Sequence, residues 1–136
     1  MSRRESQPPP EFLVDRSLGS VIVPAALSGA GFVVRTLADV YGEVAARELD
    51  DEVWLADAGM RNWIVLAKDE RIRRRPAELS AIRTARVKAF YLTAGGLKGE
   101  VQAAILLKHI YRIIQRARKA GPMVWAVTES GLRRVI

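Results

Sequence analysis

Short apolar runs alternate with helical patterns along this chain, and this alternation constrains the fold more than any other feature. Runs of four to eight apolar residues followed by a helical period are typical of βαβ units, which build a mostly parallel sheet. We therefore predict an α/β fold, a three-layer α/β/α sandwich of the Rossmann-like kind. The predicted strands are Glu11 to about Asp15, Phe32–Thr36, Trp63–Ala67, Val87–Leu92 and Met123–Thr128.

Helical patterns fill the segments between these runs. The predicted helices are Val21–Ala30 with Pro24 in its first turn, a short helix around Val44–Glu48, a helix capped by Asp50, one from Pro76 to about Ala85, and a long helix from about Gly99 to Lys119 that ends before Gly121-Pro122. His109 falls inside the long helix and is expected to pack or to lie at the surface. A basic tail through Arg133 and Arg134 is expected after the last strand.

Length and composition predict one domain. The chain has 136 residues, of which 49% are apolar, enough for one ordinary core over residues 11–136. Residues 1–10 end in Pro8-Pro9-Pro10 and are expected to form a flexible arm. The sequence has neither a long apolar run nor the apolar stretch of a secretory signal, so we expect a cytoplasmic protein without membrane contact.

Cysteine and histidine usage restricts the chemistry. The chain has no cysteine and a single histidine, His109, which excludes disulfides, thiolate zinc sites and histidine-rich metal sites within one chain. Any metal ion must therefore be held by oxygen ligands.

Charge is divided unevenly along the chain. Residues 11–60 carry nine acids and three bases, a sum of −6, whereas residues 61–136 carry five acids and seventeen bases, a sum of +12. Residues 1–10 add +1, which gives the total of +7. Clustered arginine and lysine attract phosphates, so the split favours a protein that binds a cation on one side and a nucleic acid on the other. A well-solvated arginine-rich surface is the alternative.

Three aspartates occupy positions that the predicted fold brings together. Asp15 and Asp69 each follow an apolar strand, and Asp51 begins a helix whose stripe of Asp51, Leu55 and Ala58 faces the sheet. In doubly wound sheets, ligands bind beyond the carboxyl ends of strands where the strand order reverses. Three carboxylates repel one another unless a cation neutralises them, so we expect Mg²⁺ or Mn²⁺ there. A capping role for Asp51 is the alternative.

Cations follow the third aspartate directly. The segment Lys68-Asp69-Glu70-Arg71-Ile72-Arg73-Arg74-Arg75 sets basic side chains beside the predicted metal site. A divalent metal next to phosphate-binding cations is an arrangement suited to phosphodiester chemistry.

These residues together resemble the PIN-like nucleases, particularly the VapC-type toxin ribonucleases of toxin–antitoxin modules. The resemblance rests on Phe12-Leu13-Val14-Asp15-Arg16-Ser17-Leu18-Gly19, on Asp51-Glu52-Val53-Trp54-Leu55 with Ala58, and on Ile64-Val65-Leu66-Ala67-Lys68-Asp69. It covers most of residues 11–128, although the helices match only in pattern.

The resemblance implies a magnesium- or manganese-dependent ribonuclease with the PIN-like fold. By position, Asp15, Asp51 and Asp69 would hold the metal, whereas Lys68, Arg71 and Arg73-Arg74-Arg75 would bind RNA. A fourth acid is common in the family and is left open here among Asp50, Glu52, Asp57 and Glu70. Thr93 is a candidate accessory hydroxyl or an ordinary turn residue. A cognate antitoxin and homodimerisation are further implications.

Two other functions remain open from the sequence. A receiver-like phosphoacceptor domain would use Asp15, Asp69 and Thr93, but its first strand should end in an acidic pair and its last strand in a lysine, neither of which is present. A non-catalytic nucleic-acid-binding module would explain the arginines but would leave the aspartates unexplained.

Overall fold

The computed structural model describes residues 8–68, 75–93 and 96–136. The strands in this part of the chain are β1 Glu11–Val14, β2 Val33–Thr36, β3 Ile64–Ala67, β4 Lys88–Leu92, β5 Met123–Thr128 and β6 Gly131–Arg134. The helices are α1 Ile22–Gly29, α2 Leu37–Tyr41, α3 Glu43–Glu48, α4 Asp51–Met60, α5 Pro76–Ala85, α6 Gly99–Lys108 and α7 Ile110–Ala117, with a 3-10 turn at Arg16–Leu18.

All six strands form one sheet in the order β2-β1-β3-β4-β5-β6. The first five are parallel, and only β6 runs antiparallel, beside β5. The chain moves from β1 to β2 in one direction and then returns across β1 to β3, so the strand order reverses between β1 and β3. The predicted mostly parallel α/β/α architecture is confirmed, and β1 and β3 are neighbours at the switch point.

Helices cover both faces of the sheet. One face packs under α1, α6 and α7, with Phe12, Leu66 and Phe90 among the sheet residues that point into that core. The other face packs under α2 to α5, with Leu13, Val65 and other intervening residues pointing there. Successive strand residues point to opposite faces, which is why these runs are apolar throughout rather than alternating.

Residues 37–49 form two short helices, of which only the second was predicted. Thr36 caps α2: its hydroxyl accepts a hydrogen bond from the Asp39 amide at 3.1 Å, and the Asp39 carboxylate accepts one from the Thr36 amide at 2.9 Å. This capping box is visible in the sequence as a threonine followed three residues later by an acid. Gly42, at φ 87°, ends α2 in a conformation that favours glycine.

The long helix predicted from Gly99 to Lys119 is wrong as a single element. The backbone breaks at His109, with φ −110° and ψ 9°, and divides the segment into α6 and α7. The imidazole of His109 is buried, and its Nε2 lies 3.0 Å from the carbonyl oxygen of Glu129, beyond the end of β5. Because a helical period continues through this position, the sequence pattern did not reveal the break.

The basic tail predicted after the last strand is also wrong. Residues Gly131–Arg134 form β6, which pairs with β5 through a tight turn at Glu129 and Ser130. Arginine at a sheet edge discourages pairing with other chains, so the basic composition hid an edge strand.

Close packing of α4 on α5 fixes how the helix beginnings meet the sheet. A Cβ atom added to Gly59 would lie 2.1 Å from the carbonyl oxygen of Ala85, so only glycine allows this approach. The contact joins the last turns of the two helices, which pack on the same face of the sheet and carry Asp51 and Glu78 in their first turns. In the described residues no helix has the length and apolar character needed to cross a membrane.

Candidate active site

Asp15 lies at the carboxyl end of β1, at the switch point of the sheet. Its backbone amide donates to Leu66 of β3 at 2.8 Å, which holds the residue between the two central strands. The side chain is only 8% exposed, and the hydroxyl of Ser17 donates to its Oδ2 at 2.7 Å. That hydroxyl also accepts a hydrogen bond from the backbone amide of Lys68 at 3.0 Å. Ser17 thus links the first carboxylate to the end of β3, one residue before Asp69.

Asp51 is the first residue of α4, and its half-buried side chain faces inward with Leu55 and Ala58. The indole N–H of Trp54 donates to Oδ1 at 2.9 Å, and a guanidinium nitrogen of Arg16 lies 3.5 Å from the same oxygen. The residue before it, Asp50, occupies the predicted N-cap position, although its side chain makes no capping bond. Asp51 therefore points toward the sheet, as its spacing predicts.

Arg16 connects Asp51 to the end of α3. Its guanidinium donates to the carbonyl oxygens of Ala46 and Leu49, both at 3.0 Å. Carbonyl groups at a helix end have no partner within the helix, so a cation there is favourable. Arg16 thereby fixes the chain just before α4 and holds the beginning of that helix near Asp15.

Glu78 was missed by the sequence analysis and lies against Asp51. It occupies the first turn of α5, is 5% exposed, and accepts a hydrogen bond from Arg75 at 2.9 Å. Burial, and after it the neighbouring Asp51 carboxylate, raise the pKa of Glu78 to about 7 against the opposing effect of Arg75. One signal of its burial was present in the sequence. Glu78 lies four residues before Ile82, so the two side chains share one face of the helix, and Ile82 is fully buried.

The electrostatics of this cluster indicate carboxylates held close together. Burial raises the pKa of Asp15; the hydrogen bonds from Ser17 lower it, and the nearby Asp51 carboxylate raises it again. Arg75, which also lies 3.9 Å from Asp51, is on the Glu78 side of the cluster. A buried carboxylate next to a second carboxylate is a site where a bound cation would relieve repulsion.

The oxygen-only donors of this cluster suit Mg²⁺ or Mn²⁺. Within the described ranges, no group of three acidic or histidine side chains is arranged to hold one metal ion. Asp15 and Asp51 are therefore two ligand candidates, and a third would have to come from elsewhere. Asp69, the remaining predicted ligand, lies outside the described residues, one position after Lys68.

The other predicted site residues are more scattered. Lys68 is half-buried at the end of β3, Glu52 is exposed on α4, and Thr93 follows β4 with its amide bonded to Val127 at 3.2 Å. The guanidinium of Arg75 lies among the carboxylates. Glu70, Arg71, Arg73 and Arg74 lie outside the described residues.

Two depressions open beside the carboxylates. One, of about 550 Å³, lies at the carboxyl ends of β1 and β2 and is lined by Arg16 and Arg47 among apolar and acidic side chains. The other, of about 410 Å³, is bordered by Ser17, Lys68 and the first turn of α6. Both adjoin the loop that follows Asp15, and neither lining includes Asp15, Asp51 or Glu78.

Comparison with known proteins agrees with this geometry. Residues 10–94 match the family described as "PIN like domain". The chain is 34% identical over 125 residues to the putative ribonuclease VapC45 of Mycobacterium tuberculosis (strain ATCC 25618 / H37Rv), an alignment that covers 92% of this chain and 91% of that protein. No solved structure matches significantly. The chain belongs to the PIN-like domain family, in the VapC-type branch represented by that relative.

Proposed function

We propose that this protein is a metal-dependent endoribonuclease, the toxin of a toxin–antitoxin pair. The observation that carries the proposal is the meeting of Asp15 and Asp51 at the switch point of the sheet, where each is inward-facing and where Asp51 raises the pKa of Asp15. The match to the PIN-like family and the similarity to a putative ribonuclease support the same activity.

Asp15, Asp51 and Asp69 are the proposed ligands of Mg²⁺ or Mn²⁺. Such an ion supplies Lewis acidity and lowers the pKa of a bound water, which is the chemistry that phosphodiester hydrolysis needs. Glu78 is the candidate fourth acid, because it lies next to Asp51. Two of the acids that the sequence offered for this role, Asp50 and Glu52, are exposed.

The remaining side chains of the cluster orient these carboxylates. Ser17 fixes Asp15 by donating to it, and it ties the end of β3 to the same point by accepting from Lys68. Trp54 and Arg16 restrict the rotation of Asp51. Such supporting contacts lower the cost of assembling like charges around one ion.

RNA would enter along the cations that follow β3. We propose that Lys68, Arg71 and the run Arg73-Arg74-Arg75 contact the phosphate backbone beside the cut. Arg75 carries a guanidinium at the carboxylate cluster, a position from which it can contact a phosphate held there. Replacing Arg73, Arg74 and Arg75 together should weaken RNA binding and flatten its salt dependence.

A cognate antitoxin is the expected protein partner, binding over the acidic cleft and blocking metal or RNA. Homodimerisation and a cytoplasmic location complete the proposal. The antitoxin proposal is tested by copurification. A small protein expressed from the neighbouring reading frame should copurify with this chain and stop RNA cleavage when it binds.

The deciding experiment is a cleavage assay on purified protein that is free of any antitoxin. Structured RNAs are incubated in EDTA, in Mg²⁺ and in Mn²⁺, with wild type, Asp15→Asn and Asp69→Asn. We expect cleavage that needs the metal and disappears in both variants while circular dichroism shows an unchanged fold. The exposed Glu48→Gln serves as a control that removes one carboxylate outside the cluster.

Full activity in either aspartate variant, or in EDTA, would remove the metal-site assignment. RNA that binds without being cut would favour the non-catalytic binding module instead. A protein that neither binds nor cuts RNA would bring forward the phosphoacceptor alternative.

A further inference from the structure

The surface made by α7 and β6 carries no acid within these two elements. Between Val101 and Thr128 there are five lysines and arginines and no aspartate or glutamate. We define the α7–β6 face by Arg112 and Arg116 of α7 and Arg134 of β6. Because none of these arginines belongs to the carboxylate cluster, the catalytic proposal leaves this face unexplained.

Trp125 of β5 organises the α7–β6 face. The guanidinium carbon of Arg116 lies 5.4 Å from the centre of its ring, and that of Arg134 lies 5.7 Å away. The ring is held in turn by stacking on the buried Phe90, with the centroids 6.4 Å apart and the planes inclined by 9°. Two guanidinium groups are thus kept near each other by an aromatic ring, and the Nε of Arg134 also donates to the Ile136 carbonyl oxygen at 2.8 Å.

Arg112 continues the same row. It lies one helical turn before Arg116, and a Cβ added to Gly131 at the start of β6 would come 3.9 Å from its guanidinium nitrogen. In the described part of the chain neither Arg112 nor Arg116 forms an ion pair with a carboxylate, and the nearby Glu129 is paired with Lys108 at 2.9 Å. The carboxylates of the described residues therefore do not neutralise the positive charges of Arg112 and Arg116.

This arrangement costs helix stability. Like charges four residues apart on a helix destabilise it by about 0.2–0.5 kcal/mol, and Arg112 and Arg116 have that spacing. Stacking on an aromatic ring engages the flat face of a guanidinium and leaves its N–H edge to bind two phosphate oxygens. A row of such guanidinium N–H groups is better suited to binding a polyanion than to hydration alone.

The α7–β6 face is connected to the carboxylate cluster by the edge of the sheet. Arg112 adjoins Gly131, which follows the turn at the carboxyl end of β5, the same sheet edge at which Asp15 lies. β6 is four strand positions from β1, a span of roughly 19 Å at about 4.8 Å per strand. A single RNA strand passing over the ends of β3, β4 and β5 would reach both.

We propose that the α7–β6 face is a second binding surface for the RNA backbone, which holds the substrate several nucleotides from the carboxylate cluster. The inference rests on the proposed ribonuclease function, since it takes RNA as the polyanion. In this proposal Arg112, Arg116 and Arg134 increase the affinity for RNA and set the length of RNA that is needed for tight binding. They take no part in bond cleavage.

The test is RNA binding by Arg112→Gln/Arg116→Gln, measured in the cleavage-deficient Asp15→Asn background. Glutamine keeps the helix and removes the repulsion, so folding should be retained and is checked by thermal melting. Loss of two phosphate contacts should lower the slope of log affinity against log salt by about 1.4, which at 0.1 M salt corresponds to roughly a 25-fold weaker affinity. Unstructured RNAs from about 4 to about 20 nucleotides cover the range of single-strand site sizes.

We expect the loss only for the longer RNAs. In protein that retains Asp15, Arg112→Gln/Arg116→Gln should raise KM for long RNA and leave kcat unchanged. Arg112→Lys/Arg116→Lys, which keeps the charge, should restore most of the salt slope, and Arg134→Gln alone should show a smaller loss than the pair.

The matched control is Arg61→Gln/Arg83→Gln, which also removes two positive charges. Arg61 follows the end of α4 and lies over Trp63, 5.2 Å from the ring centre, so it imitates the setting of Arg116 away from the α7–β6 face. An equal loss in this control would mean that net charge alone drives binding and would overturn the proposal.

An unchanged salt slope in Arg112→Gln/Arg116→Gln, with wild type cleaving normally, would also overturn the proposal and leave the face to an acidic protein partner. Failure of the ribonuclease function is distinguishable, because wild type would then cut no RNA in Mg²⁺ or Mn²⁺; that result would remove this inference together with its basis.

Discussion

Buried charges lie at both ends of this sheet, and the two ends treat them differently. At the amino end Lys88 begins β4, is 9% exposed, and donates to the Ala117 carbonyl at the end of α7 at 2.6 Å. Burial alone lowers the pKa of Lys88. At the carboxyl end Asp15 has Asp51 beside it, and Asp51 has Glu78.

The difference separates a structural charge from a candidate functional one. The ammonium of Lys88 meets the negative end of a helix, which stabilises a cation. At the other end, Asp51 raises the pKa of both Asp15 and Glu78, a cost that the fold does not remove by itself. Perturbed acids clustered in a cleft are more typical of sites that bind or react than of sites that stabilise.

The largest effect should come from Asp51→Asn at the carboxyl end. Loss of a metal-ligand charge should lower kcat at least about 100-fold, more than the usual effect of losing a supporting contact. The melting temperature of metal-free protein should not fall, because the substitution removes a negative charge next to Asp15 and Glu78. Cleavage kinetics and a melting curve in EDTA test both points, and a stability loss with normal kcat would make Asp51 structural, like Lys88.

Ser17→Ala should have the next largest effect. Asp15 would lose its hydroxyl donor and the amide of Lys68 its acceptor, so we expect kcat to fall about 10- to 100-fold. KM for RNA should change less than kcat, because Ser17 positions a carboxylate and contacts Lys68, a proposed RNA-binding residue, only at its backbone amide. Ser28→Ala, an exposed serine on α1, is the control, and an equal change in both variants would contradict the positioning role.

Lys88→Met should leave catalysis intact and change only stability. The charged hydrogen bond to Ala117 contributes about 1.5–3 kcal/mol, but removing a buried charge offsets part of that loss. The free energy of unfolding should therefore fall by less than about 2 kcal/mol in a urea titration. A large loss of kcat in the folded variant would erase the distinction between the two ends of the sheet.

The last expected effect is a pH dependence of stability in metal-free protein. The pKa of Glu78 rises from its ordinary 4.5 to about 7 on folding, so the folded state binds its proton more tightly than the unfolded state. The Glu78 contribution is fully present below pH 4.5 and is lost as the pH rises to about 7, by on the order of 1 kcal/mol per pKa unit.

Glu78→Gln should remove that part of the pH dependence. Urea titrations of both proteins in EDTA across this pH window measure it. A difference between wild type and variant that does not change with pH would mean that Arg75 keeps Glu78 ionised.

The sequence was sufficient for the five parallel strands and for the placement of Asp15 and Asp51, because apolar runs and helix stripes depend on local periodicity. Glu78 was not found, since its position against Asp51 results from the packing of α5 on α4, which joins residues far apart in sequence. The division of the long helix at His109 was also invisible, because the hydrogen-bond partner of its imidazole is the Glu129 carbonyl in the turn between β5 and β6. Asp69 and the arginine run at 71–74 lie outside the described residues, so their roles stay predictions.

The order of the strands has a consequence for dividing the protein into pieces. β3, from the first half of the chain, lies between β1 and β4, so the sheet is completed only when both halves are present. The acidic cluster draws Glu78 from the second half, and the α7–β6 face lies there entirely. Two fragments separated between β3 and α5 should each be inactive and should regain cleavage only on reassociation, which would make this fold a candidate for a split-enzyme reporter.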